Sequence, residues 1–283
     1  MGTSSMVDQI VLTALDGVLL NSLEDCVLLQ PLVDRLKASG VPVIIFTERD
    51  RAEVEPIRQR LGLTSPFITE SGSGIFTPVD ANPFDPPLGE QDGAYYVEEL
   101  GCPYVQARAA LRVIANLISY PLKGFGDFTV EQLQRSTGIS AAAAHQAKAR
   151  EFSEPFMTPK AVLPDRLHQA AEEMGFRIVL WRSENGRFSE LIGGQAGLAP
   201  AAESVIAAYQ SQLPAGEQLK VMGISDRLED LTTLANASSS FNWKGIWIAP
   251  EGADSPTHLP NCNTVVDDSA PTGWIAAVQS LIA

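Results

Sequence analysis

The stretch Ile10-Val11-Leu12-Thr13-Ala14-Leu15-Asp16-Gly17-Val18-Leu19-Leu20 constrains this chain more than any other. An apolar run enters a short polar turn, and a second apolar run leaves it. Buried parallel strands deliver their last residues to the ligand-binding edge of an α/β sheet in this way. Asp16 is the only carboxylate of the turn, and Gly17 permits a tight reversal behind it. Ala14 stands at the strand-end position from which a nucleophile would reach that edge. A methyl group has no chemistry to offer there.

The β-α-β texture continues downstream. Residues 26–38 carry apolar side chains at helical spacing and stop at Ser39-Gly40. Residues 41–47 read as a second buried strand. Asp50-Arg51-Ala52-Glu53 is a capping box opening a helix to about Leu61, with Pro56 expected to disturb it. Short strands at 66–69 and 74–77 flank the turn Glu70-Ser71-Gly72-Ser73. The Pro- and Gly-rich segment 78–93 reads as a linker or exposed loop. A strand at 94–100, helices at 103–118, 130–136, 141–152 and 164–174, and a hairpin across Ser183-Glu184-Asn185-Gly186 follow. From about Ala199 the first texture returns. A helix leads to the strand 219–224, which ends in Ser225-Asp226-Arg227-Leu228-Glu229-Asp230. Another helix, strands near 245–248 and 264–266, and a helix from Thr272 complete it. The order predicts an α/β fold: a Rossmann-type parallel-sheet core of residues 1–88 and 190–283, with an inserted α/β cap at 89–189.

Composition narrows the partners. A net charge of −14 repels phosphate backbones and anionic lipid, so neither nucleic acid nor membrane is expected. A small phosphorylated ligand needs only a few local cations and stays compatible. The three cysteines, Cys26, Cys102 and Cys262, are far apart and suggest neither a metal site nor a disulfide framework. With no apolar run of membrane-spanning length and no secretory signature, a cytoplasmic location is expected.

The strand-end turns hold the candidate chemistry. Asp16 after the first strand and Asp226 with Asp230 after a late one could meet at one sheet edge, where carboxylates suit Mg²⁺. Thr47, ending the second strand, offers a hydroxyl to a phosphate oxygen. Taken by spacing alone, the same residues also serve as turn formers and helix caps.

Several stretches together carry a resemblance: Leu15-Asp16-Gly17, Thr47 with Arg51-Ala52-Glu53-Val54-Glu55, the turn 70–76, and Gly273-Trp274. More specific still are Lys123-Gly124-Phe125-Gly126-Asp127 and Ala149-Arg150-Glu151-Phe152-Ser153-Glu154-Pro155-Phe156. Over nearly its whole length the chain resembles haloacid dehalogenase (HAD) phosphatases, and among them the mannosyl-3-phosphoglycerate phosphatases. That resemblance implies an aspartyl-phosphate mechanism. One strand-end Asp attacks phosphorus, and a second, two residues on, acts as acid and base. Mg²⁺ and a Lys neutralise the phosphoryl charge. It also implies roles by position: Asp16 as acid/base, Thr47 as phosphate hydroxyl, and Asp16, Asp226 and Asp230 around the metal. Glu70, Gly72, Lys123, Gly124, Asp127, Arg150 and Arg187 would face a phosphorylated sugar acid.

The departures from the pattern are as informative. Ala14 replaces the nucleophile, and Val18 replaces the usual Thr. The segment Gln195-Ala196-Gly197-Leu198-Ala199 holds no Lys, and Ser225 and Glu229 stand where Gly and Asn are usual. Loss of a covalent nucleophile removes several powers of ten in rate. Drift in several motifs at once favours a natural loss of hydrolysis over a single engineered change. Asp16 acting alone as a base for direct attack by water is a third, weaker route. The expected protein is a pseudo-phosphatase that binds a phosphorylated sugar acid or a protein partner. The alternative is a Mg²⁺-dependent phosphatase of mannosyl- or glucosyl-3-phosphoglycerate.

Overall fold

Strand β1 (Gln9–Ala14) is apolar on both faces, and Ile10, Val11 and Leu12 are wholly buried. Such a strand needs helices above and below it, which only the centre of an α/β sheet provides. A computed structural model of the chain describes residues 6–181, 188–238, 240–250, 264–266 and 270–279. It places β1 between β2 (Val43–Phe46) and β10 (Lys220–Ser225), parallel to both. Beyond β10 lie β11 (Asn242–Ile248) and β12 (Thr264–Val266), also parallel. Beyond β2, β3 (Phe67–Thr69) is parallel to it. Then β4 (Gly74–Pro78), β6 (Tyr95–Glu99) and β5 (Glu90–Asp92) extend the sheet antiparallel, to nine strands in all.

Helix α1 (Cys26–Ala38) buries Leu29, Leu32, Val33 and Leu36, an i, i+3, i+4, i+7 stripe, and packs on α2 (Arg51–Leu61). Asp50 caps α2 by accepting the Glu53 amide at 3.0 Å. The helix runs unbroken through Pro56. Proline has no N–H to offer four residues back, and the freed Ala52 carbonyl accepts Gln146 Nε2 at 3.4 Å. Gln146 ends α5 (Ala141–Gln146) of the inserted block, so the proline's vacancy becomes a contact between the two parts.

The inserted block has its own sheet, in the order β7 (Ser153–Met157), β9 (Phe188–Gly193), β8 (Phe176–Leu180), all antiparallel. Helices α3 (Tyr104–Leu117) and α6 (Pro164–Glu173) pack with Phe156 and Leu191 in one cluster. Phe125, Phe128 and Phe188 make a second cluster with α4 (Val130–Thr137) and α5. Two further helices, α7 (Leu198–Gln210) and α8 (Leu228–Ala237), pack together, and α9 (Thr272–Gln279) touches α1.

Three details depart from the sequence reading. The expected boundary at 88/89 falls inside the large sheet, because β6 pairs with β4 and β5 pairs with β6. Likewise β9 crosses the expected return at 190 and belongs to the small sheet. The helix expected over 141–152 ends at Gln146, and β7 follows unforeseen because Ser153 and Glu154, buried beside Phe156, break any alternating pattern. The hairpin turn 183–186 and Arg187 lie outside the described residues.

Candidate active site

The site begins under the end of β1. Thr13 is buried, and its hydroxyl donates to the Ala14 carbonyl at 3.0 Å. From behind, the Trp274 indole N–H donates to the Thr13 oxygen at 3.1 Å. Ala14 itself is 1% exposed and opposite Phe46 of β2. Neighbouring strands carry Thr47 on one side and Ser225 with Asp226 on the other. Gly17 takes φ +71°, and a Cβ added there would sit 3.3 Å from Asp226 Oδ2. The turns after β1 and β10 therefore meet, as expected for a topological switch point.

Asp16 does not stand open at this edge. Its two oxygens take two N–H groups of Arg49, with Nε at 3.1 Å and Nη2 as the second donor. The Thr47 hydroxyl donates to the same carboxylate at 3.4 Å and accepts the Arg49 amide at 3.1 Å. Burial works against the Arg49 charge, but Asp16 overrides it and raises the guanidinium's pKa further. Arg49 was not anticipated; the one hint was an arginine two residues past the strand-end threonine.

On the other side, the Ser225 hydroxyl donates to Asp230 Oδ2 at 2.7 Å and accepts the Arg227 amide at 3.1 Å. The Arg227 guanidinium lies 3.5 Å from Glu48 Oε1. Phosphatases of the HAD superfamily in general use Mg²⁺. An ion of this kind requires several converging oxygens. Here Ala14 supplies none, Asp16 is engaged by Arg49, and Asp230 by Ser225. Among the described residues no three acidic, His or Cys side chains converge on a metal position. The residues present do not fit the Mg²⁺ set Asp16, Asp226, Asp230.

Two adjoining cavities open over the strand ends. The larger, about 500 Å³, is lined by Asp16, Arg49 and Glu53 from the core and by Phe125, Arg150 and Trp181 from the cap. The smaller, about 300 Å³, is lined by Thr47, Ser71, Gly72, Arg177, Arg227 and Asp230. Glu48 borders both. Their sizes match small-molecule sites. Glu53, drawn into the larger one, has its carboxyl raised to about 7, first by burial and then by Asp50 and Asp16 against the pull of Arg150 and Arg49.

Of the other residues expected at the ligand, Arg150 and Gly72 line the cavities, whereas Glu70, Lys123, Gly124 and Asp127 do not. Arg150, with its side chain 1% exposed, donates to the Glu48 carbonyl at 2.7 Å and to Glu190 at 3.0 Å. It also lies 3.8 Å from Asp50 and 5.1 Å over the Trp181 ring. Its role is to join cap to core. Glu70, fully buried, accepts the amides of Glu151 and Phe152 at 3.0 Å and the Ser153 hydroxyl at 2.5 Å. Burial, opposed by Arg150, pushes its carboxyl up to about 7. Gly72 takes φ +87° and touches Gly197, where a Cβ would meet backbone at 2.2 Å. It closes the smaller cavity's wall. Lys123 is exposed, with its ammonium 4.0 Å over Phe128. Gly124 donates to Asp127 at 3.3 Å, and Asp127 pairs with Arg108 at 2.7 Å. Those three form a cap-surface turn. Glu190, which joins Ser71, Ser153, Trp181 and Arg150, was missed, because only long-range contacts bury it.

No protein-family model matches the chain. A glucosyl-3-phosphoglycerate/mannosyl-3-phosphoglycerate phosphatase of Persephonella marina is 33% identical over 229 residues, covering 80% of this chain and 81% of that protein. A protein of the same description from Methanococcoides burtonii is 27% identical over 96% of this chain and 97% of its own length. Among solved structures, a haloacid dehalogenase-like hydrolase from B. subtilis superposes with a TM-score of 0.57. It is 16% identical and covers 96% of this chain and 99% of its own. A HAD-superfamily phosphatase from Bacteroides thetaiotaomicron gives 0.59 at 14% identity, over 100% and 98% of the two chains. Fold and strand-end site thus define a capped α/β protein of the HAD type. Within that class, the chain belongs to the glucosyl-3-phosphoglycerate/mannosyl-3-phosphoglycerate phosphatase family.

Proposed function

We propose that this chain is a pseudo-phosphatase that binds a phosphorylated sugar acid in the cap–core cleft and does not hydrolyse it. One observation carries the reading: the strand end that would present a nucleophile presents the buried methyl of Ala14, and the carboxylate of the same turn, Asp16, is gripped by Arg49. A methyl group cannot bond to phosphorus. A carboxylate tied to a guanidinium through both oxygens is poorly placed to take a proton from water, which also weighs against the route through Asp16 alone. The family names of the relatives supply the ligand class. The cleft supplies cations, Arg49 and Arg227, and an apolar cap wall from Phe125 and Trp181.

No helix among the described residues is long and apolar enough to cross a membrane. A reducing cytoplasm suits the buried free thiols of Cys26 and Cys102. The test is phosphate release from mannosyl- and glucosyl-3-phosphoglycerate with Mg²⁺, by the chain as it stands and by Ala14→Asp. Neither protein is expected to release phosphate, because the Lys and the metal set are missing as well. Restored turnover in Ala14→Asp, or turnover in the parent, would overturn the reading.

A further inference from the structure

Two guanidinium groups line the two adjoining cavities that share Glu48. Arg49, its side chain 35% exposed, is anchored by Asp16 and lines the larger cavity. Arg227, 37% exposed, is anchored on Glu48 and lines the smaller one beside Thr47. Arg177 enters the same cavity from the cap and donates to the Ala196 carbonyl at 2.9 Å, at the turn that lacks a Lys. A guanidinium has five N–H donors. Arg49 and Arg227 spend only some of theirs on these anchors, and each remains open to the cleft.

The charge balance points the same way. A phosphate monoester brings close to two negative charges, and the family pattern meets them with Mg²⁺ and Lys. This chain has no Lys in 195–199 and, among the described residues, no metal set. Fixed guanidinium groups can do the same work, because their planar forks match phosphate oxygens in pairs.

We infer that Arg49 and Arg227 form a metal-independent site for a phosphate monoester dianion, with the two arginines standing in for Mg²⁺ and Lys. Asp16 then becomes a positioning residue: its carboxylate holds Arg49 in the orientation that faces the ligand. This rests on the reading of the chain as a binder rather than a hydrolase, and it adds what holds the phosphoryl group.

Calorimetric titration of the whole protein with inorganic phosphate, in EDTA and in excess Mg²⁺, tests it. The dissociation constants are expected to agree within about twofold, since no metal takes part. Arg49→Gln and Arg227→Gln are each expected to weaken binding about tenfold, the loss of one charge-assisted contact pair. Arg49→Lys should recover part of the loss. Arg227→Gln leaves the Asp16 pair intact, so it tests the site even if Arg49→Gln disturbs the turn. Binding that needs Mg²⁺, Gln variants that bind like the parent, or no phosphate binding at all would each overturn the inference. Mannosyl-3-phosphoglycerate separates it from the underlying reading. Mg²⁺-dependent binding without release defeats the arginine site alone, whereas release of phosphate defeats the non-hydrolysing reading.

Discussion

Position 14 and position 72 show how single residues set this site. Thr13 and Trp274 pin the backbone of Ala14 from below, so the strand end keeps its place although its chemistry is gone. Gly72 is the opposite case, a residue expected at the ligand whose constraint is steric. Its positive φ and the Gly197 backbone leave no room for a methyl group. Gly72→Ala is expected to destabilise the fold by about 2 kcal/mol, through a disfavoured backbone and a forced separation of the two loops. Urea unfolding measures this, and a cost near zero would mean that the contact relaxes freely. The residues that the sequence revealed were those whose role is local: Asp16 before a glycine, Thr47 at a strand end, Asp50 at a helix start. Arg49 was hidden because an arginine in a capping turn looks like any solvated cation until Asp16, 33 residues away, is set against it.

Among the elements, the joint between cap and core is the most strongly specified. The connections into and out of the cap meet on Glu70, Arg150 and Glu190: the Ser153 hydroxyl joins Glu70 to Glu190, and Ser71 and Arg150 both donate to Glu190. One buried guanidinium serves Asp50 and Glu190 directly and also faces Glu53 and Glu70. Its Nη1 makes both hydrogen bonds, while Nε and Nη2 find no acceptor among the described residues and are held by charge alone. Arg150→Leu leaves these carboxylates uncompensated and is expected to cost about 3–5 kcal/mol by urea unfolding at neutral pH. A cost below about 1 kcal/mol would contradict this assignment of Arg150.

The same joint sets a pH dependence. Glu53 and Glu70 have carboxyls raised from 4.5 to about 7, so the folded chain holds protons that the unfolded chain has released. The resulting stability is full below the unfolded value and is lost as pH rises through about 7. Calorimetric Tm is therefore expected to rise between about pH 8 and about pH 5, and Glu53→Gln with Glu70→Gln should flatten that rise. A parent Tm that falls over this window would contradict it. None of this joint was legible locally: Arg150, Glu70 and Glu190 are far apart in the chain, and β7 hides two buried polar residues in what looked like a motif.

At the scale of the molecule, the parallel half of the sheet was legible because its strands are continuous apolar runs punctuated by Gly and Asp. The antiparallel edge was not. The proline-rich segment before β6 looked like a linker, and only the pairing of β6 with β4 shows that the core continues past it. What the whole fold delivers is a capped cleft at a switch point, in a chain of net charge −14, where Arg49, Arg150, Arg177 and Arg227 are set among the carboxylates Asp16, Glu48, Glu53 and Asp230. The cleft has the size of a small-molecule site, and the strand end beneath it presents the buried Ala14. The most direct measurement is phosphorus NMR of mannosyl-3-phosphoglycerate incubated with the protein and Mg²⁺. The monoester signal is expected to shift or broaden on binding and to persist with no inorganic phosphate growing in. A growing inorganic phosphate signal, or a monoester signal indifferent to the protein, would contradict the account.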